Sequence, residues 1–448
     1  MYLSGTKKIN TANHLEIGGC DVVDLAKKFG TPLYILDEED IRSRCREYRE
    51  SFAKLLPKSQ VIYAGKALMT EAICVLMNQE GLGLDVVSGG ELYTAMKAGF
   101  PAEKIFFHGN NKTDEEIELA MQYNVGCIVV DNLVELATVG NIYHSQKKKA
   151  EIYLRINPGI EAHTHSYIRT GMPDSKFGFG ISGGMALDAV KKALQTEGIN
   201  LRGLHCHIGS QIFDLNSFAA AAQVMVEFMA EIRRETGMVL PDLDLGGGLG
   251  VWYNEEDNPQ PISSYAEVVS NAVMDACHKF DYPLPRVLVE PGRSLVGEAG
   301  TTIYTVGNVK EIPGIRKYAA VDGGMADNPR VALYQAVYRA VVANRVVSDD
   351  LDVVTITGKC CESGDMLIWD ISLPKMEKND LLAIFTTGAY NYAMSSNYNR
   401  IPRPAMVLVA DGRADLIIER ESFEDLVHLD KIPERLKKGI KSQKKIAL

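Results

Sequence analysis

Eight short runs of apolar and β-branched residues recur between positions 61 and 290, and most are separated by segments whose apolar residues repeat with helical period. The runs are VIYAG (61–65), GLDVVS (83–88), IFFH (105–108), CIVV (127–130), IYLRI (152–156), LHCHI (204–208), LDLGG (243–247) and VLVE (287–290). A strand buried on both faces needs helices to cover it, and parallel strands joined through helices supply that cover. Eight such units predict a closed (β/α)8 barrel over residues 36–300, with an open doubly wound sheet as the competing arrangement. In both, ligands gather at the C-terminal ends of the strands.

After residue 300 the period changes. TTIYTVGNVKEI, YAAVD, LDVVTIT, MLIWDISL, LLAIFT, AMVLVA and ADLIIER are short alternating runs bounded by Gly, Asp, Asn and Pro. They predict an all-β domain, a sandwich or barrel, over residues 301–448. Residues 1–35 precede the barrel pattern and are too few to bury a core alone, so they are expected to pack with that β-domain. The lysine-rich tail from Lys431 to Leu448 reads as a solvated helix end.

The chain has 448 residues and a formal charge of −10, which disfavours nucleic acid and anionic membranes as partners. No stretch is long and apolar enough to span a bilayer, and MYLSGTKKIN has no apolar signal core, so a cytoplasmic location is expected. Eight cysteines with no CxxC pair indicate neither a disulfide framework nor a zinc ribbon.

Polar groups fall at the strand ends. Lys66 follows Gly65 at the end of the first run, where a desolvated amine could lose its proton near neutral pH and add to an aldehyde. LDVVSGGEL places Asp85 and Ser88 at the second end, and RINPG places Arg155 and Asn157 at the fifth. His205 and His207 stand two apart and share a strand face, either as hydrogen-bonded core histidines or as metal ligands, with His163 and His165 as a second such pair. An arginine, Arg293, beside Glu290 is an awkward neighbour for a metal, which ranks a metal-dependent barrel hydrolase below the aldehyde reading. LDLGGGLG fails the GxGxxG spacing of a dinucleotide site, but its glycine amides could bind a phosphate or simply make a tight turn. EPGRSL adds Glu290, Gly292 and Arg293. A lysine for an aldehyde, an acid for a pyridine nitrogen and glycine amides for a phosphate are the parts of a pyridoxal phosphate site.

In these motifs the chain resembles the fold type III pyridoxal phosphate-dependent decarboxylases, on their diaminopimelate decarboxylase branch. The matching pieces are YAGKAL, LDVVSGGEL, SKFG (175–178), HCHIGSQ, LDLGGGLG, EPGRSL, DGGMADNPRVALY (322–334), CESGD (361–365) and GAYNYAMSSNYN (388–399), in the family's order and without a large insertion. The resemblance implies an alanine racemase-like barrel plus a β-domain, in a homodimer with active sites shared at the interface. It implies that Lys66 carries the cofactor as a Schiff base, that His207 stacks on its ring and that Glu290 keeps the ring nitrogen protonated. Ser210, Gly248, Gly292 and Tyr390 would hold the phosphate, with Asp85, Arg155 and Arg293 also near the cofactor. Cys361 would be the proton donor, reached from the partner subunit. Glu362, Arg293, Arg330, Tyr334 and Tyr390 would contact substrate.

The expected reaction is decarboxylation of meso-2,6-diaminopimelate to L-lysine, the last step of lysine biosynthesis. Its non-reacting end carries both a carboxylate and an ammonium, which Arg293 with Arg330 and Glu362 could meet respectively. Ornithine or lysine lacks that distal carboxylate, so a decarboxylase for those substrates, or for a carboxylated polyamine, is the alternative within the enzyme class. One departure stands out: before Cys361 the family usually has Gly-Pro and an apolar residue, whereas this chain has Gly358, Lys359 and Cys360. Without the proline the loop is expected to be less constrained, leaving open which cysteine faces the site.

Overall fold

The computed structural model describes residues 2–160 and 175–437. The eight runs form eight parallel strands: β1 Gln60–Ala64, β2 Gly83–Val86, β3 Ile105–Phe107, β4 Cys127–Val130, β5 Ala150–Asn157, β6 Ile199–His205, β7 Asp242–Asp244 and β8 Arg286–Val289. Each pairs in parallel with the next, and β8 pairs with β1, so the sheet closes. The closed barrel wins over the open sheet because β8 finds β1: Leu288 lies opposite Gln60 and Val289 opposite Val61. Strand β6 begins five residues before its apolar run, because Ile199–Gly203 pairs with β5 although INLRG has no strand pattern.

Helices between the strands start where side-chain oxygens meet free backbone amides. Thr70 caps Glu71–Gln79, and Ser88 caps Gly89–Lys97. Ser88 is therefore a structural cap rather than a ligand group. The apolar faces of these helices and the outer faces of the strands share one large core. Inside the barrel a smaller layer of Ile62, Phe106, Cys127, Val129, Tyr153 and Leu288 fills the lower half. Each large member contributes about 2 kcal/mol by leaving water. Beneath it, Arg286 donates to both oxygens of Asp242 at 3.0 and 2.9 Å, and Tyr153 donates to Asp242 at 3.0 Å.

The second sheet is mixed and runs in the order Met366–Pro374, Leu351–Thr357, Arg316–Val321, Gly300–Ile312, Leu33–Asp37, Ala405–Ala410, Arg413–Ile418. Leu381–Phe385 and the short strand Ala340–Val342 extend it from Gly300–Ile312. The N-terminal strand Leu33–Asp37 lies inside this sheet, antiparallel to Gly300–Ile303 and parallel to Ala405–Val409. Two further cores lie on this side of the molecule. The sheet domain packs against the barrel mouth, where Tyr390 donates its backbone N–H to Ala67 O at 2.8 Å. Among the described residues, no helix is long and apolar enough to cross a membrane.

Candidate active site

The C-terminal ends of the barrel strands open into a cavity of about 580 Å³, walled on its far side by the β-domain. Twelve of the fourteen site residues expected from sequence line it: Lys66, Asp85, Arg155, His207, Ser210, Gly248, Glu290, Gly292, Arg293, Arg330, Tyr334 and Tyr390. Cys361 and Glu362 do not. Both are exposed on the 358–365 loop of the β-domain.

Lys66 sits in the single turn Gly65–Ala67 that follows β1, and its side chain stands in the cavity. Gly65 is required there, because a Cβ would meet Asp85 O at 2.7 Å. Burial works to lower the pKa of Lys66, but Tyr390, Asp85 and Glu290 outweigh burial and the nearby Arg155, so the ammonium is held above its ordinary value. This reverses the expectation of an amine deprotonated by desolvation. The acids responsible come from β2 and from the end of β8, remote from Lys66 in sequence.

Glu290 follows β8 and is gripped from two sides. His108 Nε2 lies 2.8 Å from Oε1, and His205 Nε2 lies 3.1 Å from Oε2. The two imidazoles are edge to face with centroids 4.8 Å apart. Burial raises the Glu290 carboxyl, but His108 and His205 reverse this and hold it well below the ordinary range. Asp85 and Asp244 are instead pushed up, first by burial. Burial also lowers His205, to about 4, and takes His207 well below its usual value. His207 is thus a neutral ring in the cavity wall, with its Nδ1 accepting the Gly247 N–H at 3.3 Å. His205 and His207 both face the cavity while Cys206 is buried in the outer core, as their spacing requires. His108, His205 and Glu290 bring their donor atoms within 4.8 Å of one another, the one such grouping among the described residues. The His163–His165 pair lies outside the described residues.

The glycine run after β7 makes a tight floor. A Cβ at Gly247 would meet Glu290 O at 2.1 Å, and Gly248, at φ +126°, would place one 2.5 Å from Gly209 O. Only glycine lets this turn pack against the backbone of Glu290 and Gly209 while Gly247 and Gly248 both line the cavity. Arg155 lies over the Phe177 ring at 4.3 Å and near Asp131 at 3.8 Å, while Gly178 N–H donates to that Asp131 at 3.1 Å. The SKFG motif thus braces Arg155.

Arg293 and Arg330 are both buried, and neither forms an ion pair with an acid among the described residues. Arg293 donates to Ser210 Oγ at 3.0 Å and to Tyr253 OH at 2.6 Å. Arg330 donates to Tyr253 OH at 2.9 Å and to Tyr338 OH at 2.8 Å. Two desolvated guanidiniums without a counter-charge make an anion site. Sequence reading missed Tyr253, His108 and Asp244. His108 closes the IFFH run and could have been noticed at a strand end, whereas Tyr253 follows a glycine turn with no signature.

The loop before Cys361 is tied down without the family's proline. Lys359 N–H, which a proline would lack, donates to Gly323 O at 2.8 Å. Asp365 accepts from Cys360 N at 2.7 Å and Met325 N at 2.6 Å, and Cys361 N–H donates to Asn399 Oδ1 at 2.7 Å. These bonds hold the loop in place of the proline's constraint. Cys360 is buried and Cys361 exposed.

Residues 38–297 match the family model described as "Pyridoxal-dependent decarboxylase, pyridoxal binding domain". The chain is 52% identical over 430 residues to the diaminopimelate decarboxylase of Bacillus subtilis, covering 96% of this chain and 98% of that one. It superposes on diaminopimelate decarboxylase from M. jannaschii in co-complex with L-lysine with a TM-score of 0.91, at 38% identity over 96% of this chain and 99% of that one. A lysine/ornithine decarboxylase from Vibrio vulnificus, complexed with putrescine, gives 0.73 at 25% identity over 87% and 97%. These likenesses set the metal hydrolase reading aside. The chain belongs to the pyridoxal-dependent decarboxylase family, on its diaminopimelate decarboxylase branch.

Proposed function

We propose that this pyridoxal phosphate-dependent carboxy-lyase removes carbon dioxide from meso-2,6-diaminopimelate and releases L-lysine. The observation that carries the substrate is the buried arginine pair, Arg293 and Arg330, which no acid of the described chain neutralises. A substrate with a distal carboxylate supplies the missing charge. Ornithine would bring an ammonium toward the same two cations and be repelled.

The site fits the cofactor: Lys66 stands in the cavity, Gly247 and Gly248 line it with backbone, and Arg293 Nε and His205 Nδ1 are buried without a partner. When bound, pyridoxal phosphate supplies a sink for the electron pair left as carbon dioxide departs. Lys66 would carry it covalently, and Ser210, Gly248, Gly292 and Tyr390 would hold its phosphate, with Arg293 beside the cofactor. His207 would lie against the ring, with Asp85 and Arg155 beside it. Glu290 would face the ring nitrogen, and the two histidines behind this acid keep it ionised. Arg293, Arg330, Tyr334 and Tyr390 orient the substrate.

Cys361 of a partner subunit would return the proton, and Glu362 beside it would take the distal ammonium. Their exposure, on a loop tied down by Asp365 and Asn399, supports a homodimer in which each site is completed by the other chain. The division into residues 1–35, a barrel at 36–300 and a β-domain at 301–448 belongs to the same reading, as does a cytoplasmic location.

Carbon dioxide release measured side by side from meso-diaminopimelate and ornithine should appear with the first only, and release from ornithine would remove the substrate assignment. Sharing of sites is tested by co-expressing Lys66→Ala with Cys361→Ala. Each alone is expected to be nearly inactive, and the mixture to regain roughly a quarter of normal activity through one intact site per hybrid dimer. A mixture that stays inactive would place the donor within one chain.

A further inference from the structure

Tyr253 has no part in the site as read from sequence, yet it stands at its centre of charge. Its hydroxyl oxygen accepts from Arg293 at 2.6 Å and from Arg330 at 2.9 Å, and both guanidiniums lie over its ring, at 5.8 and 5.0 Å from the centroid. A phenol has two acceptor directions and one hydrogen. Both acceptor directions are taken by the arginines, so the hydrogen is the valence left, and among the described residues no acceptor receives it. The ring is fixed: its backbone N–H donates to Asp257 at 2.9 Å, and it packs edge to face on Tyr338 at 5.4 Å. The hydroxyl therefore presents its hydrogen to the cavity that Tyr253 lines.

We propose that Tyr253 is a positioning and specificity residue, which locks Arg293 and Arg330 into one convergent clamp and gives its own hydroxyl hydrogen to the distal carboxylate of the substrate. The inference rests on the reading of the two arginines as that carboxylate's partners, and it adds a third, neutral donor between them. Burial pushes the phenol's pKa up, but Arg293 and Arg330 more than reverse this. A phenol polarised in that way is a stronger donor to an anion. The clamp then discriminates by hydrogen-bond count as well as by charge, since a substrate end lacking the carboxylate leaves three buried donors unmet.

The test uses two ligands of the holoenzyme that differ by that one carboxylate, L-lysine and cadaverine. Their dissociation constants are read from the change in cofactor absorbance in the wild type, Tyr253→Phe and Arg330→Gln. Phenylalanine keeps the ring packing and loses only the hydroxyl. Tyr253→Phe is expected to weaken L-lysine about tenfold or more while cadaverine moves less than about twofold, and in turnover the loss should fall on KM more than on kcat. Equal weakening of both ligands would make Tyr253 a packing residue and overturn the proposal, as would no change in either. Arg330→Gln separates the two levels of the argument. If it leaves the ratio of the two constants unchanged, the arginine clamp itself fails. If it collapses the ratio while Tyr253→Phe does not, the clamp stands and Tyr253 is no part of it.

Discussion

The two ends of the barrel interior are built on opposite principles. At the N-terminal end, Asp242 has both oxygens occupied by Arg286 and a third bond from Tyr153, and the layer above is apolar throughout apart from the Tyr153 hydroxyl and the Cys127 thiol. At the C-terminal end, Asp85, Arg155, His108, His205, Asp244 and Glu290 crowd together, and buried polar atoms such as Asp85 Oδ1, His205 Nδ1 and Arg293 Nε lack hydrogen bonds. The lower end spends its polar groups on one another, whereas the upper end holds them for a ligand. Stability and chemistry are thus separated along one axis of the fold, the usual division between the two faces of such barrels.

Three changes sharpen or break that contrast. The largest effect belongs to the upper end: Lys66→Ala should lower kcat/KM on the order of a thousandfold or more while the melting temperature stays close to normal. A collapse of the fold in that variant would show that the upper end carries stability too. At the lower end, Asp242→Ala takes the main acceptor from Tyr153 and from the partly exposed Arg286 and should cost about 2 to 3 kcal/mol in denaturant unfolding, with little change in kcat/KM. A large loss of activity at unchanged stability would erase the distinction. The smallest effect is acid sensitivity of the upper end. His205 is held near 4 in the fold against 6.5 when unfolded. A depressed histidine stabilises the fold above the unfolded value, and that contribution is lost as pH falls from 6.5 through 4. Between pH of about 7 and about 5 the wild type should lose about 2 kcal/mol that His205→Gln does not lose. Parallel loss in both proteins would place the acid-sensitive group elsewhere.

All eight barrel strands and most of the second sheet were legible in the sequence because β-branched and apolar residues bounded by turn formers report a local preference. What was hidden is what depends on distant partners. Ile199–Gly203 becomes strand only because β5 lies beside it. Ala340–Val342 is too short to register until Leu381–Phe385 pairs with it. The direction of the Lys66 pKa depended on Asp85 and Glu290, which no window around Lys66 contains. Most site residues within family motifs were found at once, Asp244 in LDLGGGLG being missed, while Tyr253, outside any motif, emerged only from the convergence of two arginines.

The strand Leu33–Asp37 sets the order in which the molecule can be completed. Its neighbours are Gly300–Ile303 and Ala405–Val409, so this inner strand of the second sheet leaves the ribosome first, long before either partner, and one of the two comes near the end of synthesis. Closing that sheet demands contacts across some 260 to 370 residues of chain, the most entropically remote pairings in the fold. The barrel is thereby enclosed between the two halves of a structure that cannot seal until synthesis is nearly over. Severed from its first 37 residues, the β-domain would lose an inner strand and expose two raw edges, so nascent chains spend their longest wait in the state most prone to aggregate.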